Sequence, residues 1–282
     1  MHPVLFEIGG LTVNTYGVMI ALGFLAALAL AVVEGRRVGI EAHSLVDLCF
    51  WVLISGLLGG HLLFAVVNIK TYLAEPLRFL QFWRGGVVWY GGLLGGIAGG
   101  AVFLRIKQLP FWKAADIGMP AITVGLLFGR FGCLSAGCCY GKPTDLPWAV
   151  IYPGSSQLAP PGVPLHPSPL YEALMLVGLF VLLTWLRQRK RYHGQIFVLQ
   201  LFYYGIGRFL LEILRGDLER GHLAAIDLFE SIPGWEILST SQLISLLLMV
   251  VGVALHLLLA RKVERREPGP IAGLRRFLVG GT

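Results

Sequence analysis

Seven stretches of the chain are apolar for long enough to read as helices in hydrocarbon: approximately 14–33, 45–67, 87–105, 116–135, 168–186, 195–214 and 240–260. Each is close to the roughly 20 residues that a helix needs to cross about 30 Å of hydrocarbon. Between the second and third, residues 68–86 ("NIKTYLAEPLRFLQFWRGG") mix charges with aromatics, the pattern of an arm lying at a membrane interface. Residues 136–167 are rich in Pro and Gly and predict a small extramembrane cap, and a basic tail occupies about 261–282. No repeat, low-complexity segment or linker divides the chain. The pattern predicts one domain over residues 1–282, an all-α integral membrane protein with about seven transmembrane helices, an extracytoplasmic cap and an interfacial arm.

Composition agrees. The chain is 56% hydrophobic and 14% charged, with a mean hydropathy of +0.72, against about 25% charged residues in soluble domains. A soluble protein of this make-up would aggregate. The start, "MHPVLFEIGG", has an acidic Glu7 and no basic region ahead of the first apolar run. That run therefore reads as an uncleaved span and not as a signal peptide. Four cysteines, three of them bunched, do not make a disulfide framework.

The net charge of +7 raises nucleic acid as a partner, but the placement of the charges argues against it. Fifteen of the 23 basic residues fall in "EGRRVG", "RIKQLPFWK", "RQRKRYH" and the tail, at one set of helix ends. Six lie at the opposite ends: Lys70, Arg78, Arg84, Lys142, Arg215 and Arg220. Basic loops stay on the cytoplasmic side, so the expectation is an outside N-terminus, a cytoplasmic C-terminus, and a tail that meets anionic headgroups.

The two remaining basic residues, Arg130 and Arg208, lie inside spans. A charge in a span is costly and is normally paired or functional. At 1.5 Å per residue both sit about 20 Å from the inner ends of their spans, in the outer half of the bilayer. Glu212 is four residues after Arg208 and shares its helix face. Arg130 has no acid in its own span after Asp116, so its counter-charge must come from elsewhere. A lipid phosphate is one such partner, because guanidinium matches its oxygens two at a time. Other polar residues gather at the same level. Tyr16 and Tyr90 begin the first and third spans, His166, Ser168, Tyr171 and Glu172 open the fifth, and Tyr203, Tyr204, Glu212 and Arg215 accompany Arg208 in the sixth. Ser168 has the character of a helix cap. The convergence predicts a polar cavity open to the outer leaflet, although each tyrosine alone fits an aromatic belt. A lipid translocator or small-molecule transporter is the competing class, but the inner halves hold no matching polar set for alternating access.

The glycines of "YGGLLGGIAGG" form two faces, Gly91/Gly95/Gly99 and Gly92/Gly96/Gly100, at the spacing of close helix packing. This is no phosphate loop, since it lacks the lysine and the strand-to-helix context. His61 and His256, isolated on apolar spans, read as core residues.

Four segments taken in order, "YGGLLGG", "GRFGCLSAGCCYGKPTDLPWAV", "LHPSPLYE" and "YYGIGRFLLEILRGD", resemble the prolipoprotein diacylglyceryl transferase family over nearly the whole chain. The resemblance implies an enzyme of the bacterial plasma membrane that works toward the outer leaflet. It would move the diacylglyceryl group of phosphatidylglycerol to the lipobox cysteine of a preprolipoprotein signal peptide. A thioether forms and glycerol phosphate leaves, with no metal and no organic cofactor. The partners implied are phosphatidylglycerol, lipobox signal peptides and membrane lipids, and not nucleic acid. By motif, Arg130 is the signature arginine that holds the lipid phosphate, and Arg208, with Glu212 and Arg215, matches the second essential arginine segment. Tyr204 precedes it by one turn, Tyr16 matches a tyrosine at the first span's outer end, and "HPSPLYE" brings His166 and Glu172. A paralogue acting on another acceptor is the alternative within the same class.

Three positions depart from the commoner pattern. Cys133 stands where the signature carries Asn, Cys138 where it carries an acid, and Tyr90 where a His precedes the double glycine. Tyr90 is therefore read as catalytic beside Arg130 and Arg208, with Cys133 and Cys138 among the lipid-binding residues. The thiols admit four readings. They are small packing residues beside a turn, or a disulfide of Cys133 with Cys138 or Cys139. As a metal site they lack a nearby His or fourth Cys to complete a tetrahedron. As covalent carriers they would be activated by Arg130 and a helix end. Economy disfavours the last, since the acceptor brings its own thiol.

Overall fold

A computed structural model describes residues 4–9, 11–81, 86–154, 158–216 and 239–266. The tail beyond 266, Arg84 and Arg220 lie outside these residues. An antiparallel hairpin opens the chain, β1 (Val4–Ile8) and β2 (Leu11–Asn14), with Glu7 opposite Thr12. The apolar pattern did not predict it. The helices follow as α1 (Thr15–Arg37), α2 (Ala42–Val67), α3 (Ile69–Ala74), α4 (Trp89–Ile106) and α5 (Phe111–Ala136). After a minimal pair of strands, β3 (Val150–Ile151) and β4 (Pro164–Leu165), come α6 (Ser168–Arg187), α7 (Gln195–Glu212) and α8 (Thr240–Arg266).

Every predicted span coincides with a helix. Among the described residues, six helices are long and apolar enough to cross a membrane: α1, α2, α4, α5, α6 and the Ser241–Arg261 part of α8. The chain is a multi-pass, all-α membrane protein. The helix α7 is not among the six. Gln195, Gln200, Arg208 and Glu212 interrupt its apolar surface, and these polar groups face protein: Gln200 and Arg208 are buried, and Gln200 accepts a hydrogen bond from the Thr123 hydroxyl of α5 at 2.9 Å.

The chain forms two compact units, residues 28–117 and residues 1–27 with 118–282. In the first, α2 and α4 meet along the predicted glycine seam. A Cβ at Gly59 would lie 2.5 Å from the Gly91 carbonyl oxygen and 2.8 Å from the Gly95 Cα, so only hydrogen fits. In membranes such seams gain van der Waals contact between backbones, because lipid gives no hydrophobic drive to pair helices. The stretch expected as an interfacial arm forms α3 and a 3-10 turn over Pro76–Leu80. His61 anchors it with a 2.9 Å hydrogen bond to the Phe79 carbonyl, among the rings of Tyr72 and Phe79. The core role read for His61 holds, and His256 is likewise occupied, by the Tyr192 hydroxyl.

In the second unit, α1 crosses α5 closely. A Cβ at Gly23 would stand 3.0 Å from the Gly125 carbonyl oxygen, and one at Gly132 would stand 3.1 Å from the Tyr16 ring. The crossing of α7 with α8 is equally close, since a Cβ at Gly205 would lie 2.9 Å from the Ser245 carbonyl oxygen. Within the stretch expected as a cap, Tyr152, Ala159 and Leu165 form a small core packed against Tyr140, Val150 and Val163.

Candidate active site

The end of α5 organises the site. Gly137 leaves the helix at φ 75, in the left-handed region that favours glycine. The amides of Gly137 and Cys138 both donate to the Cys133 carbonyl, at 3.0 and 3.2 Å, which satisfies an otherwise orphaned acceptor. Main-chain bonds then fasten the next residues to two other segments. Gly141 donates to the His166 carbonyl at 2.9 Å, and His166 donates back to the Lys142 carbonyl at 3.0 Å. Lys142 donates to the Leu214 carbonyl at 2.9 Å, and Gly216 to the Tyr140 carbonyl at 3.2 Å. The chain leaving α5, the chain entering α6 and the chain leaving α7 are thereby held together. Glycine is required at 141, where a Cβ would lie 2.5 Å from both the His166 Cβ and the Ser168 hydroxyl.

This knot gathers the charged residues. Arg130 Nη2 pairs with Glu172 Oε1 at 2.8 Å, so the counter-charge absent from its own span is supplied by α6. The Tyr204 hydroxyl donates to the same oxygen at 3.4 Å. On α7, Arg208 Nη2 pairs with Glu212 Oε2 at 2.5 Å, the predicted one-turn partner, and donates to the Ser241 hydroxyl at 3.2 Å. The Ser239 hydroxyl donates to the other Glu212 oxygen at 3.0 Å. Both carboxylates are almost wholly buried, with side chains 4% and 8% exposed. Burying such charges is favourable only when each is paired and hydrogen-bonded. One donor is left over: Arg208 is 8% exposed, and its Nη1 has no hydrogen-bond partner among the described residues. The buried Ser168 hydroxyl is also unpartnered.

Of the residues anticipated from sequence, Tyr16, Arg130, Cys133, Cys138, His166, Glu172, Tyr204, Arg208, Glu212 and Arg215 all fall in the unit of residues 1–27 and 118–282. Tyr16 begins α1, packs on Gly132 and is 44% exposed. His166 Nδ1 lies 3.2 Å from the Tyr171 hydroxyl, which also accepts from the Trp148 indole at 2.7 Å. Arg215, 8% exposed, bridges to Gly141 through its backbone. Tyr90 belongs to the other unit, where it begins α4 edge-on to Trp89 with 43% exposure.

The expectation for Ser168 is corrected: it is the first residue of α6, Pro167 holds the cap position, and no side chain caps the helix. Its hydroxyl is turned instead toward Gly141. Sequence reading missed Ser239 and Ser241, whose signal was the polar start of "STSQLISLLLM" ahead of an otherwise featureless apolar helix.

None of the three clustered thiols is in a disulfide, and their sulfur atoms lie within 4.8 Å of one another. Cys139 sits at φ 60, a left-handed conformation uncommon for a residue with a side chain. Hydrogen bonds from Cys133 and Cys138, then the charges of Arg215 and Arg130, hold the Cys139 thiol below the usual thiol range.

Comparison with known proteins points one way. The family model described as prolipoprotein diacylglyceryl transferase matches residues 3–258. A phosphatidylglycerol–prolipoprotein diacylglyceryl transferase of Geobacter sulfurreducens is 38% identical over 276 residues, covering 96% of this chain and 98% of the relative. Proteins of the same name from Clostridium tetani and Bordetella parapertussis are each 36% identical, over 253 and 271 residues. They cover 90% and 94% of this chain and 96% and 98% of the relatives.

Proposed function

Since the chain belongs to the prolipoprotein diacylglyceryl transferase family, we infer how its own residues carry that family's reaction. The protein is a transferase that moves the diacylglyceryl group of phosphatidylglycerol to prolipoproteins. The observation that supports the assignment of roles is the guanidinium of Arg208, buried, half paired, and keeping one N–H donor without a partner. A donor that has already lost its water gains strongly from an anionic oxygen arriving beside it.

In this reading Arg130 and Arg208 clamp the lipid phosphate. Glu172 and Glu212 hold the two guanidiniums in place while the site is empty, with Tyr204 and Ser241 as lateral supports. The unpartnered Ser168 hydroxyl and the Cys133 and Cys138 thiols line the phosphate side, and Tyr16, His166 and Arg215 the headgroup rim. The acceptor sulfur attacks the glyceryl carbon that bears the phosphate. A C–S bond forms, the C–O bond breaks, and the electron pair departs on glycerol phosphate, whose growing charge the arginines stabilise. The acceptor thiol, with an ordinary pKa near 8.5, must first lose its proton. The proton leaves with glycerol phosphate, on its phosphate oxygen. The acceptor is the lipobox cysteine of a signal peptide. The excess of basic residues at one set of helix ends supports a plasma-membrane enzyme with its N-terminus outside and its site toward the outer leaflet.

The test uses purified protein, phosphatidylglycerol vesicles and a lipobox peptide. The peptide cysteine should gain a diacylglyceryl mass as glycerol phosphate is released, and Arg208→Ala should abolish the gain. An unmodified peptide, or an unimpaired Arg208→Ala, would overturn the assignment.

A further inference from the structure

The three thiols at the end of α5 form a donor set that the transfer chemistry does not consume. The sulfurs of Cys133, Cys138 and Cys139 lie within 4.8 Å of one another, and none is in a disulfide. Bonds of about 2.3 Å from sulfur to one ion would set three sulfurs about 4.0 Å apart around it. The cluster already brings its sulfurs to within 4.8 Å, close to that spacing. Two turns of backbone bring it about. The left-handed Gly137 ends the helix just after Cys133, and the left-handed Cys139 returns a third sulfur to the pair.

The surroundings suit a bound cation with anionic ligands. Cys133 is buried, and the guanidiniums of Arg215 and Arg130 lie within electrostatic reach of Cys139. Ligation strips the proton from each thiol, and two guanidiniums offset part of the charge that results. A second, independent feature points to the same spot. Tyr152 is 1% exposed and its hydroxyl has no hydrogen-bond partner among the described residues. It lies within electrostatic reach of all three cysteines. A buried donor of this kind is what a metal-bound thiolate takes from its outer surroundings.

Three sulfurs, with no other ligand among the described residues, select a soft ion. Zinc in closed sites takes four ligands, and among the described residues the cluster supplies three, which is why the sequence argued against a metal. A monovalent copper ion is complete with three. We propose that Cys133, Cys138 and Cys139 form a three-sulfur site for a soft, three-coordinate metal ion, with Cu(I) as the ion it fits. The loaded ion would cross-link the last turn of α5, just beyond Arg130, to the turn that follows it. The proposal does not rest on the transferase reading, because the metal and not the lipid reports it.

The experiment titrates the full-length, detergent-purified protein with Cu(I) alone, without oxygen, against bicinchoninate as competing chelator. One copper per chain should be retained, with three sulfur neighbours by X-ray absorption. Cys133→Ser, Cys138→Ser and Cys139→Ser should each weaken retention about 100-fold or more, while Cys49→Ser, on α2, leaves it unchanged. The sulfur count on the unaltered chain needs no variant to fold. No copper held against the chelator, fewer than three sulfurs around it, or undiminished affinity in the three variants would each overturn the proposal.

Discussion

Arg130 and Glu172, on helices separated by the whole cap, form an ion pair at 2.8 Å in which the carboxylate is 4% exposed. Removing one partner strands the other charge, at a cost of about 3–5 kcal/mol for a buried pair. Glu172→Ala should therefore lower both the thermal midpoint and the transfer rate. Glu172→Gln, which keeps the shape and one acceptor, should lie between it and the unaltered chain. Tyr204→Phe removes only a 3.4 Å bond and should cost less than about 1 kcal/mol. Melting curves of the three variants would test the ranking.

Lysine should not replace either arginine. It keeps the charge but loses the planar fork that meets two phosphate oxygens at once. Arg130→Lys and Arg208→Lys should each lower the transfer rate by about 10²–10³, with expression and melting temperature nearly intact. A lysine variant that worked at the normal rate would remove the two-oxygen clamp.

The thiols should carry no covalent lipid. An enzyme cysteine alkylated at the glyceryl carbon would form a thioether as stable as the product, and the enzyme would stop after one turnover. Intact-mass spectrometry after incubation with phosphatidylglycerol and no acceptor should show the unmodified chain. Cys138→Ser and Cys139→Ser should keep substantial activity, and Cys133→Asn should be tolerated best. A diacylglyceryl increment lost on substitution of one cysteine would reverse this.

Sidedness is testable by labelling. In a background without the native cysteines, Asp145→Cys should react in intact cells with a membrane-impermeant maleimide, and Lys190→Cys should react only after permeabilisation. The opposite pattern would invert the proposed orientation.

The spans, the glycine seam and the one-turn pair of Arg208 with Glu212 were legible because each depends on residues near in sequence. Length, small-residue spacing and helix periodicity express them directly. The partner of Arg130 was not legible, since Glu172 reaches it only after the cap has folded α6 back beside α5. The cap's bonds run through main-chain atoms of Tyr140, Gly141, Lys142, His166, Leu214 and Gly216, and backbone pairing over such separations leaves little trace in side-chain pattern. Ser241 was missed for a related reason: a serine at the start of an apolar helix is unremarkable until an arginine is placed against it. The opening hairpin falls in the same class, with strands of five and four residues.

The seam between α2 and α4 has a mechanical consequence. Where two backbones touch with no side chains between them, there is no compressible layer to absorb a push, and sliding one helix past the other drives carbonyls into Cα atoms. The Val88 amide, at the head of α4, is also bonded to the Gly60 carbonyl of α2 at 3.1 Å, and on α2 the neighbouring His61 holds the arm through Phe79. Arm, seam and the first turn of α4 therefore behave as one lever. A load placed on the arm is delivered to Tyr90 as displacement and not dissipated as local flexing.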